Sequence, residues 1–115
     1  EPIELVSYKE AATGNEDEVA VEAVIKDNGT EKTIAATGNG IVDAFSHALG
    51  KYIGTAFEIV NYSEHSMEYG TKSRAISYIQ ISTEKGEVSY GAGISSNITE
   101  SSLRAVVSAA NKMID

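Results

Sequence analysis

Apolar and polar residues alternate along much of this chain, and twice the alternation gives way to a helical spacing. In "EVAVEAVIK" (Glu18 to Lys26), Val19, Val21, Ala23 and Ile25 fall on one face and Glu22 and Lys26 on the other, the period of a half-buried strand. Ile3 to Lys9 is a shorter β-leaning run before it. "DNG" at Asp27 to Gly29 predicts a hairpin, because Asn and Gly tolerate positive φ, and "KTIAAT" from Lys32 pairs back. After Gly38-Asn39-Gly40 the period changes. Val42, Phe45, Leu49 and Ile53 form a helical stripe, with Asp43, Ser46 and His47 off it, and Gly54 stops the helix.

The pattern then starts again. "TAFEIVNY" (Thr55 to Tyr62) alternates as a strand, and "RAISYIQIS" (Arg74 to Ser82) as another, with Ala75, Ser77, Ile79 and Ile81 on one face. "EKGE" at Glu84 to Glu87 is a turn, and "VSYGAG" from Val88 is a third strand that runs into a second glycine turn. Thr99 is placed to cap a closing helix, and Glu100 suits its first turn. Leu103, Val106, Val107, Ala110, Met113 and Ile114 make its apolar stripe. The order is strand, strand, strand, helix, twice. The expected fold is α+β: an internal duplication of a βββα unit, residues 1–54 and 55–115, giving two three-stranded antiparallel sheets, each with one helix, layered to bury their apolar faces. Small residues on those faces let the layers approach closely.

The 115 residues suit one domain with one modest core. A net charge of −8 repels a phosphate backbone, which argues against nucleic acid as a partner. No apolar run approaches the ~20 residues that span a bilayer, and no signal-peptide pattern opens the chain. The absence of cysteine removes thiolate catalysis, thiolate metal sites and disulfides, and fits a cytoplasmic protein. The chain opens on Glu1-Pro2 without Met and reads as a fragment of something longer or as a processed chain.

Two stretches carry candidate chemistry. "SEHS" (Ser63 to Ser66) sets Glu64 beside His65, either as a catalytic or metal-binding pair or as a polar loop anchor after a strand. A zinc site needs three or four ligands, the chain has two histidines, and His47 is read on its helix without a ligand one turn away, so no metal is expected. No G-x-S-x-G elbow accompanies a serine nucleophile. The Gly38-Asn39-Gly40 turn is neither G-x-G-x-x-G nor a P-loop. It is either a strand-to-helix connection that needs positive φ or a set of helix N–H groups open to a carboxylate.

Three separated strings carry a family resemblance: "TGNGIVDAFSHAL", "VNYSEHSMEYGTKSRAISYIQI" and "YGAGISSNITESSLRAVVSAANKMI". Together they resemble the C-terminal regulatory domain of the α-isopropylmalate synthases, from about Glu1 to Ile114. The family pattern runs G-N-G-P-V-D-A, then D-Y-x-E-H, then A-x-x-Y-(V/I), then G-V-G-I-x-x-N-I. Here Ile41 stands for the proline, Asn61 for the aspartate, and Tyr90-Gly91-Ala92 for W-G-V.

The resemblance implies a non-catalytic sensor with no cofactor of its own. The parent enzyme condenses acetyl-CoA with 2-oxoisovalerate in a (β/α)₈ barrel that uses a divalent metal, and that barrel lies outside this chain. The sensor forms a homodimer, binds leucine and inhibits the barrel. Carried over by motif, the pocket uses Gly38, Asn39, Gly40, Val42 and Asp43 at the turn, Ile59, Tyr62 and Ser66 from the following strand and loop, and Ser73, Ala75 and Ile94. Helix N–H groups suit the leucine carboxylate, Asp43 or a loop carbonyl its ammonium, and Val42, Ile59, Ala75 and Ile94 its branched tail. Val42, Ile59 and Ile94 also read as plain core, and Asp43 as a partner of the helix dipole. The alternatives are the similar isoleucine-sensing domain of citramalate synthases, a dimerisation module without a ligand, and a small enzyme built on Glu64 and His65.

Overall fold

The computed structural model describes residues 3–69 and 72–114. Its elements run β1 (Ile3–Ala12), β2 (Val19–Asp27), β3 (Thr30–Gly38), α1 (Ile41–Ile53), β4 (Phe57–Tyr69), β5 (Lys72–Thr83), β6 (Val88–Ser95) and α2 (Ile98–Ile114). This is the α+β order expected, βββα twice. The strands form two three-stranded sheets, β1-β2-β3 and β4-β5-β6, and every described ladder is antiparallel. Two compact units result, Glu1–Glu58 and Ile59–Asp115.

In the first unit the alternation of β2 holds: Val21, Ala23 and Ile25 are buried, together with Ile34 of β3. Asp27 pairs with Thr30, and Asn28 and Gly29 between them have φ of 55° and 82°. That is a two-residue turn whose twist matches the strands it joins. Strand β1 continues past Lys9 to Ala12, with a register shift between Leu5 and Ser7 that leaves Val6 exposed. On α1, Phe45 and Leu49 are fully buried, each contributing roughly 1.5–3 kcal/mol relative to exposure. The buried arc of α1 is wider than its stripe and takes in Ser46. The Ser46 hydroxyl donates to the Val42 carbonyl at 2.8 Å, so its burial leaves no proton unsatisfied. Gly54 ends the helix at φ 79°, its N–H on the Gly50 carbonyl.

In the second unit Ala75, Ser77, Ile79 and Ile81 are buried on one face of β5, as the alternation requires. The β5–β6 turn closes with Gly86 at φ 87° and the Thr83 N–H on the Glu87 carbonyl. Strand β4 runs well past Tyr62, so Ser63 to Ser66 is strand and not the expected loop.

Gly91 and Gly93 also depart from expectation. They lie inside β6, where Ser89, Gly91, Gly93 and Ser95 alternate as its buried face, and do not form a turn. Helix α2 rests on them. A Cβ on Gly93 would fall 2.6 Å from the Ala105 nitrogen, and one on Gly91 2.9 Å from the Ala109 Cα, so no side chain fits. The cap of α2 is Asn97 and not Thr99. Its Oδ1 accepts the Glu100 N–H at 3.0 Å and its carbonyl the Ser101 N–H at 2.9 Å. Leu103, Val106, Val107 and Ala110 are buried as expected, while Ile114 at the helix end is exposed.

Candidate functional site

The β3–α1 junction is built around one carboxylate. Asp43 Oδ2 accepts the Asn39 N–H at 2.9 Å, and Asp43 Oδ1 lies 3.4 Å from His47 Nε2, one helical turn on. His47 therefore does have a carboxylate at i−4, contrary to the sequence reading. Its Nδ1 lies 2.9 Å from the Thr37 carbonyl on β3, which as an acceptor requires the proton on Nδ1. The helix start is thus tied to the preceding strand through Asp43 and His47.

The turn uses its glycines differently from the expectation of positive φ. None of Gly38, Asn39 and Gly40 has positive φ. Gly40 is extended, at φ −166° and ψ 177°, and a Cβ there meets nothing within 4 Å. Gly38 is the position that has to be bare. A Cβ on it would lie 2.6 Å from both the Ala44 nitrogen and Asp43 Oδ2. Gly40, the helix N-cap, offers no side-chain bond, and the N–H groups of Ile41, Val42 and Asp43 find no acceptor among the described residues. Val42 and Asp43 are both half-buried.

The second unit holds the other expected residues. Ile59 is half-buried on β4, and Ser66 is exposed on the same strand. Ser73 is exposed and Ala75 buried, both on β5, while Ile94 on β6 is 41% exposed. Tyr62 is 44% exposed, yet its hydroxyl is held twice: it donates to Glu64 Oε2 and lies 2.9 Å from Ser102 Oγ on α2. Burial first, and the Glu64 hydrogen bond next, raise the Tyr62 phenol above its ordinary value.

Residues two apart on a strand share a face, which is why Glu64 reaches Tyr62. His65 points the other way, its ring edge-on to Tyr78 with centroids 6.0 Å apart. The adjacent pair is therefore split between the two faces of the sheet, which removes the arrangement a Glu64–His65 catalytic site would need. No group of three or more His, Cys, Asp or Glu among the described residues is placed to hold a metal.

A groove of about 400 Å³ in this unit is lined by Asn61, Tyr62, Ser63, Tyr78, Gln80 and Lys112, among others. Of the expected site residues, Tyr62 is the one that borders it. Tyr78 of β5 and Tyr90 of β6, each on the exposed side of its strand, both line it. A similar groove of about 410 Å³ in the first unit is walled by Ala11, Ala20, Ala35 and Thr37. No helix among the described residues is long and apolar enough to cross a membrane.

The fold and these junctions define a class: an internally duplicated α+β domain whose polar side chains tie strands to helix starts. Within that class the assignment is specific. The chain belongs to the LeuA allosteric (dimerisation) domain family, whose pattern matches residues 1–114. It is 50% identical over 114 residues to a 2-isopropylmalate synthase of Acetoanaerobium sticklandii, covering 98% of this chain and 20% of that protein. It is 46% identical over 94 residues to one of Mesorhizobium japonicum, covering 82% of this chain and 17% of the relative. A third, of Clostridium acetobutylicum, is 40% identical over 117 residues, covering 96% of this chain and 20% of the relative. The chain spans about a fifth of the length of these curated relatives.

Proposed function

We propose that this chain is the effector-sensing, dimerising module of a cytoplasmic 2-isopropylmalate synthase, that leucine is its effector, and that leucine binding inhibits a barrel elsewhere in the parent enzyme. The observation that carries the reading is the start of α1. The N–H groups of Ile41, Val42 and Asp43 are open, at the positive end of a helix, next to bare backbone at Gly40. Such an end binds a carboxylate without a basic side chain. Family membership supports the allosteric role, and the relatives' name supports the pathway.

Asp43 keeps its place as a candidate partner of the leucine ammonium, since a carboxylate that accepts one N–H has further lone pairs to offer. Its carboxylate is already engaged by the Asn39 N–H and faces His47, so it shapes the turn. Carried over from the family motifs alone, Asp43 or a loop carbonyl takes the leucine ammonium and Val42, Ile59, Tyr62 and Ala75 its branched tail, while Ile94 lies on the face of its sheet opposite Ala75. Gly38, Asn39, Ser66 and Ser73 complete the proposed set.

Gly40→Val tests this directly. Gly40 is extended and has open space around it, so valine leaves the fold intact while blocking the approach of a ligand. In the parent enzyme the variant keeps its activity and loses inhibition by leucine. At about 100 times its dissociation constant, leucine should stabilise the wild-type domain by about 2.7 kcal/mol, and the variant by nothing. A full leucine-induced thermal shift in Gly40→Val would refute the assignment. Isoleucine binding tenfold tighter than leucine would move the chain to the citramalate-synthase reading, and no heat with either would leave a dimerisation module.

A further inference from the structure

Glu64 belongs to the "YSEH" string but has no part in the effector reading above. Its neighbours give it one. The Tyr62 hydroxyl donates to Glu64 and also meets Ser102 Oγ at 2.9 Å. Ser102 is 1% exposed, and with the Tyr62 proton on Glu64 it is Ser102 that donates to the phenol oxygen; its one proton has the Ile98 carbonyl, 2.9 Å away, as a competing acceptor, and Ser77 Oγ lies 3.2 Å from it. Ser77 Oγ lies 2.8 Å from Ser101 Oγ, and both residues are fully buried. Every buried side-chain polar atom among the described residues has a partner.

Three buried hydroxyls between β5 and α2 cost desolvation that alanine would avoid, and serine is no asset inside a helix. Their common outlet is one half-exposed phenol. A tyrosine ring whose oxygen is fixed from its own strand and from the facing helix has no free rotation left to lose when a ligand lands on it.

We propose that Glu64 and Ser102 are positioning residues for Tyr62, holding its ring as a rigid wall for the branched tail of the effector, with Ser77 and Ser101 backing Ser102. The proposal rests on the effector reading, in which Tyr62 meets the ligand. Its place in the fold is specific: Glu64 acts along β4, Ser102 across to α2, and neither touches the effector.

The test uses the full-length synthase that carries this domain, with leucine as probe. Glu64→Ala and Ser102→Ala should each weaken leucine binding by calorimetry roughly tenfold, the loss of one hydrogen bond to a charged or buried group. Glu64→Gln, which keeps an acceptor oxygen, should recover most of it. Unchanged leucine affinity in both alanine variants overturns the proposal.

A second measurement needs no ligand. Ultraviolet difference titration against Tyr62→Phe isolates the Tyr62 phenol. Glu64 raises that phenol and Ser102 lowers it, so Glu64→Ala should bring its ionisation down and Ser102→Ala should push it up. If wild-type enzyme takes up no leucine, the effector reading fails, and opposite shifts still establish that the two residues position the phenol. A fall in melting temperature with no shift in either variant assigns them to packing alone and overturns the proposal.

Discussion

His47 and Arg104 make the same contact in the two halves of the chain. His47 Nδ1 lies 2.9 Å from the Thr37 carbonyl, and Arg104 Nη1 donates to the Ile94 carbonyl at 2.9 Å, each reaching back ten residues from helix to preceding strand. Each also faces an acid one turn earlier on its helix, Asp43 and Glu100. The duplication is therefore preserved in the wiring of the helix starts, although the residues doing the job have changed. His47→Arg is expected to leave stability unchanged, because arginine is what the second half uses there. His47→Ala should cost less than about 1 kcal/mol, both partners being half exposed. Urea midpoints of the two variants decide it; a costly His47→Arg would mean the halves are not equivalent at this position.

Glycine substitutions should separate by position. Gly93→Ala forces a Cβ onto the backbone of α2 and should destabilise by roughly 1–3 kcal/mol. Gly40→Ala meets open space at an extended φ and should be close to neutral. Chemical denaturation of both, at constant m-value, checks the contrast.

Removing the α2 cap tests a corrected assignment. Asn97→Ala deprives the Glu100 N–H of its acceptor and should cost about 0.5–2 kcal/mol, whereas Thr99→Ala should cost little. Equal effects would restore Thr99 as the cap.

Alkaline pH should act through Tyr52. Its hydroxyl donates to Asp27 Oδ2 at 2.7 Å, and that hydrogen bond, followed by burial and the Asp27 charge, raises the phenol above its ordinary value. The unfolded chain then releases the proton first. The stability from this pair is complete below the unfolded phenol value near 10 and is lost as pH rises through the higher folded value. Tyr52→Phe should show a flatter fall in denaturation midpoint above pH ~10 than wild type. Parallel curves would remove Asp27 as the cause.

Dimerisation is expected of the domain at tens of micromolar, where interfaces of standard size hold. Light scattering that shows monomer alone at that concentration would count against the dimerising role.

The alternation of "VAVEAVIK" and "RAISYIQIS" made β2 and β5 legible, because one face of each is buried and the other is not. The "DNG" hairpin was legible because its positive φ values need those residues. Gly91 and Gly93 were misread for a physical reason. Glycine signals both a turn and a close backbone approach, and only the packing of α2 distinguishes them. Ser46, Ser101 and Ser102 show the same limit, whereas the alternation of β5 had already placed Ser77 on its inner face. A hydroxyl that finds a partner inside the fold is indistinguishable, in a string of letters, from one that faces water. Tyr62 was picked out from the family motif, but its tie to Ser102 spans forty residues and leaves no local trace.

Aligning the helix starts Ile41 and Ile98 puts Gly91 and Gly93 where the first half has Ile34 and Ala36. Helix α1 therefore has the side chains of Ile34 and Ala36 at those two positions, and comes down on bare main chain at its first turn, where Gly38 lies against Ala44. Helix α2 lies directly on the main chain of β6, with Ser89 also bonded to the Ala109 carbonyl at 2.7 Å. There is no cushion to shear, so helix and strand in the second half translate as one plank. A force on α2 moves β6 with it or lifts the helix clean off. The two copies of the repeat thus differ in how far the main-chain contact runs along the helix, from one glycine at the start of α1 to two along the body of α2.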